Sequence, residues 1–355
     1  MRLPVAVGLA SLLALPCHGD PGPIHPRVVV VTMFEVGADS GDVPGEFQYW
    51  VQREHLDRLL PLPAAYHGVR TNADGTVLGI VVGQGTSNAA ASIMALGCDS
   101  RFDLSKSYWL VAGIAGISPS AGSIGSAAWA EYVVDGELAY EIDAREIPPG
   151  WPDGHVPLGA DRPFQQPRPR DEFGSTIVYH LDPGLVDWAY TLTKDTPLPD
   201  NEKMKARRDA YVYHPAARRP PFVLKGDNLS SSTYWHGERM DAWATAWVKY
   251  HTGGRGSFAT TAMEDSGTLR SLTYLSRAGR VDIRRVLVLR TASNYDMQWP
   301  GATAAQSMTG HDLGIYTAYI PSLEAAYRVG SRVVHALVAG WGQFENDPPQ
   351  GPAPR

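Results

Sequence analysis

D-I-R-R-V-L-V-L-R-T-A-S-N-Y-D, running from Asp282 to Asp296, decides how the chain is read. Val286, Leu287, Val288 and Leu289 form a short, β-branched-rich apolar run. It fits a strand buried on both faces, as in a parallel sheet covered by helices. The run stops at Arg290, and Thr291, Ser293, Asn294 and Asp296 follow. In open α/β sheets ligands bind in the crevice beyond the strands' carboxyl ends, so polar groups gathered there make a candidate site. Taken alone, an ordinary strand-to-loop transition explains the pattern as well. The upstream segment Thr261-Ala262-Met263-Glu264-Asp265-Ser266-Gly267-Thr268 tips the reading toward a site.

The same signature recurs toward the N-terminus. Residues 27–31, R-V-V-V-V, are the first continuous apolar run, and Thr32-Met33-Phe34-Glu35-Val36-Gly37 leaves it with Glu35 at the strand's carboxyl end. Residues 46–60 read as a helix with Phe47, Trp50, Val51 and Leu59 on its apolar side. Arg70 to Asp74 with Gly75 reads as a hairpin-type turn, and residues 76–82 as a second core strand. That strand runs into Gly83-Gln84-Gly85-Thr86-Ser87-Asn88 and an alanine-rich helix. Two glycines let backbone approach a ligand, and N–H groups at a helix N-terminus favour an anion or a polar oxygen. The plain alternative is an N-cap on a small-residue helix packed against the sheet. Gly83-x-Gly85 is half of the dinucleotide fingerprint, but Asn88 stands where its third glycine belongs and the motif follows the second strand. A nicotinamide-type cofactor is therefore not expected.

Residues 107–111 (S-Y-W-L-V) read as a third core strand, followed by a glycine-rich loop from Ala112 and Gly113 to Gly116. A turn at 122–125 and a strand at 127–134 come next. Residues 135–219 are irregular and Pro-rich, with helical signals near 185–192 and 200–211. They read as a long elaboration on one core domain spanning residues 20–355. Residues 222–225 resume the sheet and 226–232 read as a loop or N-cap cluster. In 239–251, Met240, Trp243, Ala244, Trp247 and Tyr250 recur at helical spacing, which is core packing. A helix at 268–275 precedes the deciding strand, and an amphipathic helix at 321–341 follows it.

Composition narrows the function classes. The 355 residues are 44% hydrophobic and 19% charged, the balance of a globular protein. A net charge of -6 supplies no basic surface to track phosphates, so nucleic acid is not an expected partner. The one dense basic run, K-M-K-A-R-R at 203–208, reads as a solvated helix face. Residues 1–19 carry Arg2, a short Pro-interrupted apolar stretch and small residues near Cys17: an export leader, giving a periplasmic or extracellular destination. Cleavage there leaves Cys98 without a disulfide partner, and it reads as a small buried hydrophobe. No other stretch is long and apolar enough for a membrane-spanning helix.

The segments M-F-E-V-G-A-D-S-G, V-G-Q-G-T-S-N-A-A-A, V-A-G-I-A-G-I-S-P, L-K-G-D-N-L-S-S-S-T-Y-W-H-G, A-M-E-D-S-G-T and L-R-T-A-S-N-Y-D, in order from Met33 to Asp296, resemble the purine nucleoside permease family. That family looks like a divergent branch of the nucleoside phosphorylase/nucleosidase superfamily. The resemblance implies an α/β, three-layer nucleoside-phosphorylase-like fold with a mixed, partly barrel-like central sheet. It places Met263 and Glu264 at a Met-Glu pair whose carboxylate accepts from the ribose hydroxyls, a role an ionised carboxylate suits. Asn294 falls where many superfamily enzymes hold an acid for the leaving purine, and Asp296 is the candidate displaced acid. Gly85, Thr86, Ser87, Asn88, Ala112, Gly113 and Gly116 are expected to line the anion and base pocket.

Residues 36–45 hold no Arg or Lys to grip phosphate, whereas Met33-Phe34-Glu35 is similar to the acidic loop of hydrolytic nucleosidases. Hydrolysis of an N-ribosyl bond with Glu35 activating water is therefore expected over phosphorolysis; a salt-bridging role is the alternative for Glu35. The expected small-molecule partner is a nucleoside, with phosphate as a second candidate. No cofactor or metal is implied. The alternative function is a nucleoside binder that hands its ligand to a membrane transporter. Homo-oligomers are frequent in the superfamily and fit either reading.

Overall fold

The computed structural model describes residues 22–168, 176–309 and 317–351. The leader expected at residues 1–19 lies outside them. Strand β1 (Val28–Thr32) pairs in parallel with β2 (Val77–Val81) on one side and β3 (Tyr108–Ile117) on the other. All of β1 is buried, so both faces of this part of the sheet are covered. Beyond β2 the sheet continues antiparallel through Val69–Thr71 and Arg58–Leu60, joined by the expected turn at Asn72–Gly75.

β3 is the branch point. One edge carries β8 (Val286–Tyr295) in parallel along its whole length. The other carries β1 first and then, near the carboxyl end, the antiparallel β7 (Phe258–Ala262). β8 pairs in turn with β4 (Ala127–Ala130), and β7 with β6 (Asp227–Ser230), which pairs with β5 (Tyr132–Asp135). Only Glu131 separates β4 from β5, so the path β3–β8–β4/β5–β6–β7–β3 closes on itself. That ring is the barrel-like part of a mixed sheet.

Helices cover the ring and its extension. α1 (Gln48–Arg53) follows the first loop, and α2 (Thr86–Cys98) starts at the end of β2. α3 (Pro183–Thr193) and α4 (Glu202–Asp209) fall within the irregular 135–219 stretch; Leu185, Val186 and Ala189 of α3 join the main apolar core. α5 (Glu238–His251) buries Trp243 and Trp247 in a second core with Leu229 and Phe258. α6 (Asp265–Arg277) packs on α2, and α7 (Tyr319–Ala339) lies along β8 and β3. No described helix is long and apolar enough to cross a membrane.

Several elements differ from the sequence reading. The helix expected over 46–60 ends at Arg53, His55 turns the chain with a φ of 52°, and Leu59 belongs to an edge strand, half-exposed. Cys98 is exposed at the end of α2, not buried. The supposed loops at Ala112–Gly116 and 226–232 are largely strand, and β8 runs on through the polar residues to Tyr295. Apolar runs marked where these strands begin but not where they stop. Past the last apolar residue, buried polar side chains satisfy one another instead of meeting solvent.

Candidate active site

At the carboxyl ends of β1, β3, β7 and β8 a cavity of about 110 Å³ opens between Met33, Phe34, Glu46, Ile114, Gly116, Tyr234, Met263, Glu264, Ser293 and Asn294, among others. Behind Glu46 and Glu264 of its lining is an electrostatic cluster around Arg290, 1% exposed on β8. The Arg290 guanidinium donates to Asp265 Oδ1 at 2.7 Å and Oδ2 at 3.0 Å, to Glu264 Oε2 at 3.4 Å and to the Ile114 carbonyl at 3.2 Å. Burial opposes its charge, but Asp265, Glu264 and Glu46 more than offset that and raise its pKa. A guanidinium so fully engaged is a structural cation and has little left for an incoming anion.

Glu46 is the acid that sequence reading missed. It arrives from the far end of the first loop, just before α1, and is buried. Its Oε2 accepts from Met33 N–H at 2.7 Å and its Oε1 from Ile114 N–H at 2.7 Å. Burial pushes its pKa up to about 8, opposed by Arg290 and the two N–H groups and reinforced by the charge of Glu264. Glycine at 113 makes room: a Cβ there would lie 2.6 Å from Glu46 Oε1 and 2.7 Å from Arg290 Nη1. Gly116 leaves similar room for Asn294 and Thr261, its Cβ position being 3.3 Å from Asn294 Nδ2. The glycines of β3 thus serve close approach to the cluster, not a loop.

Glu264 closes the opposite side. Its Oε1 accepts from Gly85 N–H at 3.2 Å and its Oε2 from Met263 N–H at 3.2 Å. Burial raises its pKa, Arg290 works against that, and Asp265 adds to it. Asn294 stands at the far end with its amide engaged: Nδ2 donates to Tyr234 Oη at 3.1 Å and to the Tyr295 carbonyl at 2.9 Å, and Oδ1 accepts from Ser293 Oγ at 2.9 Å.

Other expected residues sit elsewhere. Glu35 does not line the cavity. Its carboxylate accepts from the N–H groups of Val36, Gly45, Phe47 and Gln48, stapling the 36–45 loop to the start of α1. A glutamine there has one acceptor oxygen for those four donors. Glu35→Gln is expected to lower stability by about 1–3 kcal/mol, read by chemical denaturation. Of the 83–88 loop only Gln84 reaches the cavity. Gly85 lies behind Glu264, Asn88 is exposed with its Nδ2 on the Gln84 carbonyl, and Thr86 and Ser87 face a separate depression beside Glu137 and Arg270. Ala112 is buried within β3 without lining the cavity.

Asp296 is buried beyond Asn294, facing Asp241 of α5. Among the described residues no hydrogen-bond donor is found for either Asp296 oxygen, and the two carboxyls interact with each other. Burial, then Asp241, holds the Asp296 pKa well above the carboxylate range; burial raises that of Asp241 too. The unfolded chain ionises this group from about pH 4, so the folded state loses stability as pH rises above that value. Asp296→Asn should therefore melt at a higher temperature than the natural protein near neutral pH, with the gap closing toward about pH 4. A gap independent of pH would contradict the assignment.

Residues 25–349 match the family model described as purine nucleoside permease. The chain belongs to the purine nucleoside permease family. Within that family it is similar to a probable purine nucleoside permease of Schizosaccharomyces pombe, 31% identical over 353 residues, covering 96% of this chain and 98% of the relative. The purine nucleoside permease of Candida albicans is 29% identical over 334 residues, covering 92% of this chain and 79% of its own. Among solved structures, a 5'-methylthioadenosine/S-adenosylhomocysteine nucleosidase from S. pneumoniae, bound to a transition-state inhibitor, superposes with a TM-score of 0.51 at 14% identity, over 88% of this chain and 98% of its own. The corresponding nucleosidase from Colwellia psychrerythraea, in complex with adenine, gives 0.50 at 14% identity over 89% and 97%. This family member thus has the nucleosidase fold anticipated from its motifs.

Proposed function

We propose that this permease-family protein seats a purine nucleoside with its ribose on Glu264 and its base toward Asn294 and Tyr234, and hydrolyses the N-ribosyl bond with Glu46 as the base. The observation that carries the reading is the pair of buried carboxylates, Glu46 and Glu264, that line one cavity and both feel the charge of Arg290. Glu264 keeps acceptor capacity for the vicinal ribose hydroxyls, since two backbone N–H groups and Arg290 do not exhaust its lone pairs. Glu46, with a pKa near 8, is strong enough to take a proton from water and is ionised over part of the neutral range.

In the step itself the water oxygen bonds to the anomeric carbon, its proton passes to Glu46, and the carbon–nitrogen electron pair leaves with the base. Asn294 has no proton to give as an acid. The departing base takes its proton from solvent, and Tyr234, whose hydroxyl accepts from Asn294 Nδ2, lines the cavity on that side. The lining residues of the described cavity include no Lys, Arg or His, which favours water over phosphate as the nucleophile.

The engaged amide of Asn294 also favours a second reading, a nucleoside binder without chemistry that serves uptake, as the family's description suggests. Product chromatography of inosine, guanosine and adenosine incubated with the purified protein, with and without phosphate, tests the choice. Free base in both conditions is expected. Base only with phosphate overturns hydrolysis, and binding without base selects the second reading.

A further inference from the structure

Gln84 is the residue that the turn between β2 and α2 sends into the nucleoside cavity, and the reaction proposed above does not use it. Its backbone is fixed on both sides. Gly83 and Gly85 have φ of 84° and 87°, where a side chain would be strained, and a Cβ at Gly83 would lie 2.7 Å from the Tyr66 ring. The Gln84 carbonyl accepts from Asn88 Nδ2 at 2.8 Å. Its side-chain amide, by contrast, has no hydrogen-bond partner among the described residues. The other amide and the carboxylates on the cavity are committed: Glu46 and Glu264 to backbone N–H groups, Asn294 to Tyr234, Ser293 and the Tyr295 carbonyl. Gln84 keeps two N–H donors and an acceptor oxygen to spend on a ligand.

Its place says which part of the ligand that is. The next residue, Gly85, donates to Glu264, the carboxylate assigned to the vicinal ribose hydroxyls, so Gln84 enters from the sugar side, and it is exposed at the rim. With those two hydroxyls on Glu264 and the base toward Asn294, the 5'-hydroxyl is the sugar's one remaining hydroxyl. We propose that Gln84 is a specificity-determining residue that hydrogen-bonds the 5'-hydroxyl, so that the site takes nucleosides with a free 5'-hydroxyl over 5'-deoxy and 5'-thioether nucleosides. A hydroxyl donates and accepts, as a primary amide does; a methyl group does neither, and a thioether sulfur only accepts, weakly. Water competes for an exposed amide, so the discrimination is that of a single rim hydrogen bond, about five- to tenfold. The inference rests on the nucleoside reading but not on how the N-ribosyl bond is cleaved.

The test compares adenosine, 5'-deoxyadenosine and 5'-methylthioadenosine on the full chain and on Gln84→Leu and Gln84→Met. Both substitutions keep a side chain of similar size at an exposed position, and either suffices if the other misfolds. The readout is the preference for adenosine over each analogue, as a ratio of kcat/KM where the ligands are cleaved and of Kd where they are only bound. The natural protein is expected to prefer adenosine about five- to tenfold, and the variants to bring both ratios within about twofold of one. Ratios near one in the natural protein, or a preference that survives the substitutions, overturn the role of Gln84 and leave the nucleoside reading standing. Failure of the natural protein to bind any of the three overturns the nucleoside reading itself, and the role of Gln84 with it.

Discussion

Glu46→Gln is expected to lower turnover of a purine nucleoside by roughly 10²–10⁴-fold, the usual contribution of a positioned general base, while nucleoside affinity stays within about tenfold. The substitution keeps the side chain's size, and its amide oxygen can still accept one of the two N–H groups now on the carboxylate. It removes the only buried acid that lines the described cavity besides Glu264. The misfit is local, because the NH2 group of glutamine must meet either Met33 N–H or Ile114 N–H, donor against donor. That costs about 1–3 kcal/mol of stability, which a denaturation curve registers separately from kcat. Turnover unchanged in a folded Glu46→Gln protein removes Glu46 from the chemistry.

Glu264→Ala is expected to weaken nucleoside binding by roughly 100-fold or more, since charge-assisted hydrogen bonds to two hydroxyls are each worth about 1.5–3 kcal/mol. The same truncation frees Gly85 N–H and takes one of the carboxylates from Arg290. Asp265 keeps its two-oxygen grip on the guanidinium, so Arg290 stays in place and the cluster stays folded. Calorimetry with a nucleoside, beside a melting curve, separates the effects. A folded Glu264→Ala protein of undiminished affinity would place the ribose elsewhere. The two variants thus divide the two carboxylates into a binding group and a reacting group.

Much of this arrangement is legible in the chain. Apolar runs at β1, β2, β3 and β8 announce the sheet, and A-M-E-D-S-G-T announces Glu264 at a strand-to-helix junction. The resemblance carried by these motifs supplied the family and the fold. Glu46 was not legible, because nothing local marks it. It gains its role only when the 36–45 loop, stapled by Glu35, folds back and brings it beneath β3. The same folding-back explains why Glu35 looked catalytic: it sits in the right loop, one turn of chain from the place where an acid is needed. Arg290 was seen as a polar residue at a strand end. Its pairing with Asp265 across the ring depends on β8 continuing past its apolar segment, which periodicity alone does not reveal. Thr86 and Ser87 were expected in the pocket for their helix N-terminus, but Glu137, contributed by the turn after β5 at the start of the irregular stretch, already holds the donors there.

The most direct test of the whole account is the pH dependence of kcat for inosine cleavage in phosphate-free buffer. A general base whose pKa burial has pushed up to about 8 is half ionised there and increasingly ionised above it. Turnover should therefore rise with pH, level off above about pH 8, and lose this rise in Glu46→Gln. An absence of free base at every pH, or a profile that is flat across that range in the natural protein, would contradict the assignment of Glu46 as the base of a hydrolytic nucleosidase site.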